Sequence, residues 1–315
     1  MIVFENVSKT YSENHKAVDS LNLHIHKGEF FVLIGPSGCG KTTTLKMINR
    51  LIDASHGSIK VNGKNIQDYN IHELRWNIGY VLQQIALFPH MTVAENIAVV
   101  PELKKWGKSD IQKRVDELLE MVGLEPKVYR DRKPKELSGG QQQRIGVARA
   151  MAADPGIILM DEPFSALDPI SREKLQDDIV HLQKAIKKTI VFVTHDMKEA
   201  LKIADRICMM KGGAVIQKGT PEEIIRNPAS DFVRDFVGAH GAAEEIFQLE
   251  RLMTPISGDR RLSTSSVPVS ASLQETLSKL ALYDRLPVER DGNIIGQIDR
   301  KTVIRFLAER GGFHE

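Results

Sequence analysis

Three short runs along the chain are apolar at almost every position: Phe30–Ile34 (FFVLI), Ile157–Met160 (IILM) and Thr189–Thr194 (TIVFVT). Apolar runs of this length, closed by turn or polar residues, predict strands buried on both faces. Each is followed by a polar residue and then by a helical pattern. Buried strands alternating with helices predict a mostly parallel sheet. Between the first two runs the period changes. Ile111, Val115, Leu118, Leu119 and Val122 recur at helical spacing. Asp110 reads as the N-cap of that helix and Gly123 as its stop. The pattern therefore places a helical insertion at about residues 86–154 within an α/β domain.

The pattern shifts again near Gly238. The segment GAHGAA (238–243) is small and flexible and reads as a linker. Residues 1–238 are thus expected to form one domain, 239–252 a linker, and 253–315 a second, α+β domain. Within the latter, Arg260–Ser266 reads as a loop and Leu273–Tyr283 as a helix. Two short strands follow, 286–288 and 294–298, around an Asp-Gly turn, and a last helix covers 302–310. A unit of about 60 residues is marginal alone and is expected to pack against something.

Composition narrows the class. The 315 residues carry 43 basic and 41 acidic side chains, a net charge of +2. That balance lacks the basic footprint of a nucleic-acid partner. The two cysteines, Cys39 and Cys208, form no Cys-x-x-Cys pair. A disulfide framework is not expected, and a reducing compartment fits. The first residues lack a signal-peptide profile. No apolar run approaches the ~20 residues that span a bilayer, so a membrane role must pass through a partner.

The candidate chemistry begins at GPSGCGKT, residues 35–42. It fits G-x-x-x-x-G-K-[ST] in full, after a predicted strand and before a helical run at 43–51, the context that gives this motif meaning. Gly35, Gly38 and Gly40 let the backbone wrap so that its N–H groups face phosphate oxygens, with Pro36, Ser37 and Cys39 completing the ATP-binding loop, and the helix N-terminus adds positive potential. Lys41 is expected on the β- and γ-phosphates, the Thr42 hydroxyl on Mg²⁺, and Thr43 beside them. Cys39 reads either as a small residue that fits the loop or as a thiol whose pKa is lowered at the helix N-terminus. At the second strand end, Asp161 suits Mg²⁺ binding and Glu162 suits activation of the attacking water. His195 closes the third strand, where ligands gather in open α/β sheets, and is expected to meet the γ-phosphate.

A second Gly-rich turn, LSGGQQQR (137–144), lacks the lysine and hydroxyl that complete a nucleotide site. Ser138, Gly139, Gly140 and Gln141 still open a helix and could grip one terminal phosphate. The turn lies in the helical insertion, so the simplest geometry has two chains head to tail. Each then closes the other's ATP across an isologous interface.

With these motifs in order, residues 1–238 resemble the ATP-binding subunits of ABC transporters, whose signature motif is LSGGQ. The resemblance implies an α/β P-loop ATPase with a mostly parallel core sheet, an antiparallel β part and a helical subdomain. It implies that Tyr11 stacks on adenine, that Gln83 (YVLQQ) contacts Mg²⁺ and faces the permease, and that Ser165–Asp168 (SALD) lies at the dimer interface. It makes Glu162 the catalytic base and His195 the switch histidine.

ALFPHMTVAENI, after Gln83, looks like the importer branch, and PEEIIRNPASDFVRDFVG looks like the importers of glycine betaine, carnitine or choline. Polar amino-acid importers share much of this pattern. The resemblance implies integral-membrane permease subunits, a substrate-binding protein outside the cell, and a place on the cytoplasmic face of the membrane. A non-transport ABC ATPase, or a nucleotide-binding module without catalysis, fits less well.

Residues 253–310 resemble one CBS repeat, with MTP at the start and LPVERDGNIIGQIDR near the end. Such repeats usually work in pairs, and two chains would complete one. The nucleotide-binding version has Thr or Ser, then Asp three residues later. Here Asp299 and Thr302 stand in the reverse order. Dimerisation without ligand, adenine-nucleotide or cyclic-dinucleotide sensing, and ionic-strength sensing through Arg260, Arg261 and Arg285 all stay open.

Overall fold

The computed structural model describes residues 1–12, 15–84, 86–165, 167–239, 249–254, 266–269, 271, 273–290 and 293–311. The chain divides into two compact units, Met1–Val233 and Arg234–Glu315. The division falls inside the helix Asp231–Ala239 rather than at Gly238. Residues 240–243 of the linker segment lie outside the described residues. The C-terminal end of the stretch read as linker forms the helical turn Leu249–Leu252, and Leu249 is fully buried in the second unit's core.

The first unit contains β1 (Ile2–Ser12), β2 (His15–Ile25), β3 (Phe30–Ile34), β4 (His56–Val61), β5 (Lys64–Asn65), β6 (Ile78–Val81), β7 (Ile157–Asp161), β8 (Thr189–Thr194), β9 (Arg206–Lys211) and β10 (Ala214–Gly219). Its main sheet has the order β10-β9-β3-β8-β7-β6. All neighbours are parallel except β10, which pairs antiparallel with β9 at the edge. Strands β3, β7 and β8 are buried at every position, as a parallel strand covered on both faces requires. A smaller antiparallel sheet, β2-β1-β4-β5, lies in the same unit. Phe4 and Leu23 of that sheet share one core with Phe31 and Leu33 of β3, Leu159 of β7 and Val193 of β8. Leu45, Met47 and Ile48, on the helix Lys41–Ile48 that follows β3, fill it further. Each such side chain contributes about 1.5–3 kcal/mol by leaving water. The helix stops at 48 rather than 51, because Arg50 takes a left-handed backbone with φ 51°.

Four helices fill the connection from β6 to β7: Val93–Leu103, Lys108–Met121, Pro126–Tyr129 and Gly139–Met151. Asp110 is not the N-cap of the second. Gly107 holds that place, and Asp110 sits in the first turn, where its charge complements the helix dipole. Its carboxylate lies over Gly107, Oδ2 only 3.1 Å from where a Cβ would be. Gly123, with φ 71°, does follow the C-cap Val122 as a left-handed stop.

Among the described residues the second unit holds a three-stranded sheet, β11 (Val267–Pro268), β12 (Arg285–Arg290) and β13 (Asn293–Asp299), in that order. The helix Leu273–Leu280 connects β11 to β12, and the helix Arg300–Gly311 follows β13. Strand β12 pairs antiparallel with β13, setting Leu286 against Ile298 and Val288 against Gly296. Leu286, Val288 and Ile298 pack with Leu273, Leu280 and Val303. Residues 260–265 of the loop read at 260–266, and the Asp-Gly turn, lie outside the described residues.

Candidate functional site

The register of the parallel strands assembles the site. Ile34 at the end of β3 lies beside Thr194 of β8. Val193 of β8 lies beside Asp161 of β7, and Met160 of β7 beside Val81 of β6. The residues just beyond these ends are Gly35, His195, Glu162 and, two past Val81, Gln83. One carboxyl edge thus carries residues from four separate parts of the chain, the edge where open parallel sheets bind ligands.

The loop Gly35–Thr42 runs from β3 into the helix Lys41–Ile48. Two of its glycines are sterically required. A Cβ on Gly40, which has φ 102°, would sit 2.3 Å from the Ala17 carbonyl oxygen, and one on Gly35 would sit 2.1 Å from that of Met210. The loop is therefore wedged between β2 and the end of β9. Lys41 is only 5% exposed. Its Nζ donates to the Gly35 and Pro36 carbonyls at 2.7 and 3.0 Å, which folds the ammonium back over the loop.

Cys39 is buried, and burial pushes its thiol up, outweighing the lowering by Lys41. Of its two readings this favours the small residue that fits the loop. Cys208 is fully buried, and burial pushes it up to about 12.

Thr42 Oγ1 donates to Asp161 Oδ1 at 2.7 Å. Burial holds Asp161 above the ordinary aspartate range, with the Thr42 bond opposing the shift and Lys46 opposing it more weakly. Among the described residues no group of three His, Cys, Asp or Glu is placed to hold a metal. A cation here would rely on Thr42, Asp161 and Gln83 oxygens together with phosphate and water. That donor set is hard and incomplete by itself, which fits Mg²⁺. Gln83 is exposed at the same edge.

Glu162 follows β7 with φ 44°, a left-handed backbone in a non-glycine residue, which costs about 1–3 kcal/mol. Its N–H donates to the Val193 carbonyl at 3.0 Å, locking the two strand ends together. Its Oε2 lies 3.1 Å from His195 Nδ1. The fold has therefore brought together the two residues read from separate strands as base and phosphate contact. The next turn is held by Ser165, whose hydroxyl donates to the Glu162 carbonyl. Asp168 caps the helix Pro169–Ile186, accepting from Ser171 N–H at 3.0 Å.

Tyr11, on β1, is 54% exposed, and the Lys9 ammonium lies 5.2 Å from its ring centroid. Ser138 caps the helix Gly139–Met151 in a capping box with Gln141. Gln141 Nε2 also donates to the Tyr129 hydroxyl at 3.2 Å. Among the described residues no hydrogen bond joins this turn to the loop 35–42.

Thr194, Glu199 and Arg172 were not singled out from the sequence, yet they line one small cavity with Glu162, Ser165, His195 and Asp196. A glutamate four residues past His195, and an arginine in a polar helix, look like ordinary surface residues. Only the fold buries the first and turns both toward His195.

A phosphate-binding loop, a Thr42–Asp161 pair and a Glu162–His195 pair at one sheet edge define a P-loop nucleoside-triphosphate hydrolase. The family model described as ABC transporter matches residues 18–165. The choline transport ATP-binding protein OpuBA of Bacillus subtilis is 55% identical over 313 residues, covering 96% of this chain and 81% of the relative. The glycine betaine/carnitine/choline transport ATP-binding protein OpuCA of the same organism is 50% identical over 305 residues, covering 97% of this chain and 77% of the relative. A dimeric post-hydrolysis structure of the ATP-binding cassette MJ0796, bound to ADP and Pi, is similar with TM-score 0.64 and 37% identity, over 70% of this chain and 99% of that one. The chain belongs to the ATP-binding proteins of ABC transporters.

Proposed function

We propose that this chain is the ATP-hydrolysing subunit of an importer for a quaternary-amine osmoprotectant of the choline, glycine betaine or carnitine type. The observation that carries it is the Glu162–His195 contact at 3.1 Å, beside a complete phosphate loop. The chain carrying it is 50–55% identical to ATP-binding proteins of choline and betaine transport. A polar amino-acid importer is the second reading at the level of cargo, since no pocket in this subunit needs to touch the solute.

In this reading Lys41 leaves the Gly35 and Pro36 carbonyls for the β- and γ-phosphates, and the loop N–H groups grip the remaining oxygens. Tyr11 stacks on adenine. Thr42, Gln83 and Asp161 would hold Mg²⁺, whose charge would offset that of the phosphates. Glu162 accepts a proton from the attacking water, while His195, held beside it, contacts the γ-phosphate.

Ser138, Gly139, Gly140 and Gln141 serve the nucleotide of a second copy, with Asp168 at the shared interface. That the MJ0796 cassette forms a dimer supports this arrangement. Among the described residues no helix is long and apolar enough to cross a membrane. In this reading the chain works at the cytoplasmic face through permease subunits, which a substrate-binding protein supplies with solute.

The C-terminal unit is read as one CBS-like module that pairs with a second copy. Asp299 Oδ1 accepts the Thr302 N–H at 2.8 Å, capping the last helix. That bond holds its carboxyl below the ordinary range. A carboxylate committed to a helix cap favours dimerisation over nucleotide sensing.

Turnover by purified full chain with Mg²⁺ and ATP tests the assignment. Glu162→Gln should lower kcat at least ~100-fold while ATP still binds, because a positioned general base contributes about 10²–10⁴-fold. Hydrolysis by that variant at the normal rate would refute the base.

A further inference from the structure

Glu199 is a buried carboxylate, 7% exposed, on the short helix Met197–Ile203, and the mechanism above does not use it. Its Oε2 accepts from the Thr194 hydroxyl at 2.6 Å. The same Thr194 oxygen accepts from the Asp196 N–H at 3.0 Å. The residues before and after His195 are therefore fastened to each other and to one carboxylate. Glu199 Oε1 faces Arg172, whose Nε lies 3.9 Å away. Arg172 belongs to the helix Pro169–Ile186, and its Nη2 donates to the Leu167 carbonyl at 3.2 Å. Leu167 lies inside the Ser165–Asp168 turn. The chain of contacts runs from His195, through Thr194, Glu199 and Arg172, to that turn.

Stability does not explain this carboxylate. Burial pushes it above the ordinary glutamate range. The Thr194 hydroxyl opposes that shift most, Asp196 adds to it, and Arg172 and His195 oppose it further. A buried carboxylate whose cation stands 3.9 Å away is a net expense to folding unless the geometry it fixes is needed. The geometry it fixes is the backbone on both sides of His195, whose imidazole contacts Glu162.

We infer that Glu199 is a positioning residue for ATP hydrolysis, holding His195 against Glu162 through Thr194 and coupling that contact to the Ser165–Asp168 turn through Arg172. The inference rests on the proposed roles of Glu162 and His195.

The test is steady-state ATPase of the full chain with Mg²⁺, comparing Glu199→Gln, Arg172→Gln, the double variant and Glu162→Gln. Glutamine keeps an acceptor for the Thr194 hydroxyl and removes the charge that faces Arg172. Misplacement of a reacting group by a fraction of an ångström lowers rate rather than binding. Each single variant should therefore lose about tenfold in kcat with the KM for ATP within about twofold. The double variant should lose no more than the worse single, because both break one linkage.

Losses that multiply in the double, a KM that rises as kcat falls, or full kcat in both singles would overturn the inference. The Arg172 side chain is 33% exposed, so Arg172→Gln decides the matter even if Glu199→Gln fails to fold. Activity retained by Glu162→Gln would instead overturn the underlying reading of the site. Loss in Glu162→Gln, with Glu199→Gln and Arg172→Gln at full rate, would overturn the positioning role alone.

Discussion

At the end of β7 the Asp161 carboxylate is 4% exposed, bonded to the Thr42 hydroxyl, and raised by burial above the ordinary value of 3.8. A carboxyl with a raised folded-state pKa resists losing its proton on folding. Its charge therefore opposes stability at every pH above the folded pKa. That penalty shrinks as pH falls through the folded pKa and is absent below 3.8, where folded and unfolded chains both carry the proton. Asparagine has nearly the same shape, still accepts from Thr42 and carries no charge. Asp161→Asn should melt higher than wild type at pH 7.5, with the gain fading as pH drops toward 4, and it should lose Mg²⁺-dependent hydrolysis. Thermal melts across that range check it. A lower Tm at neutral pH would mean that the charge is compensated within the protein. The same physics separates the two readings of Cys39, since burial raises its thiol and favours the small residue that fits the loop.

At the scale of elements, what the sequence revealed follows from how each strand is buried. Strands β3, β7 and β8 are covered on both faces and show as continuous apolar runs. Strands β6 and β9 were not picked out, because a four-residue IGYV and an RICMMK bounded by charges resemble other segments. The β1–β2 pairing is broken by register shifts that blur the alternation of its side chains. The phosphate loop, Asp161, Glu162 and His195 were legible because each closes a buried strand. Glu199 was not, since its partner Thr194 is set by the strand end and its partner Arg172 by the packing of another helix.

The helix beginning at Ser138 carries a prediction at this scale. Its cap is the Ser138 hydroxyl oxygen, which accepts from the Gln141 N–H, so Ser138→Ala should cost about 1 kcal/mol of stability. If the turn serves a partner's nucleotide, ATP affinity measured on the monomer should stay unchanged while turnover falls at least ~10-fold, an effect of lost phosphate contact in the closed dimer. Equal falls in monomer affinity and turnover would place the turn on its own chain's nucleotide instead.

At the scale of the whole molecule, the first unit is an ATPase whose signature turn makes no bond to its own phosphate loop among the described residues. The relatives that match nearly its full length are ATP-binding proteins of choline and betaine transport. ATP binding would draw two chains together and hydrolysis would release them. On the proposed reading the edge carrying Gln83 would pass that motion to a permease. The most direct test of this account is uptake of labelled choline and glycine betaine. The host strain should lack other importers for these solutes and carry the permease subunits with either wild-type chain or Glu162→Gln. Uptake with the wild type and its loss with Glu162→Gln is the predicted result. Equal uptake with both, or no uptake of either solute with an ATPase that hydrolyses ATP, would contradict it.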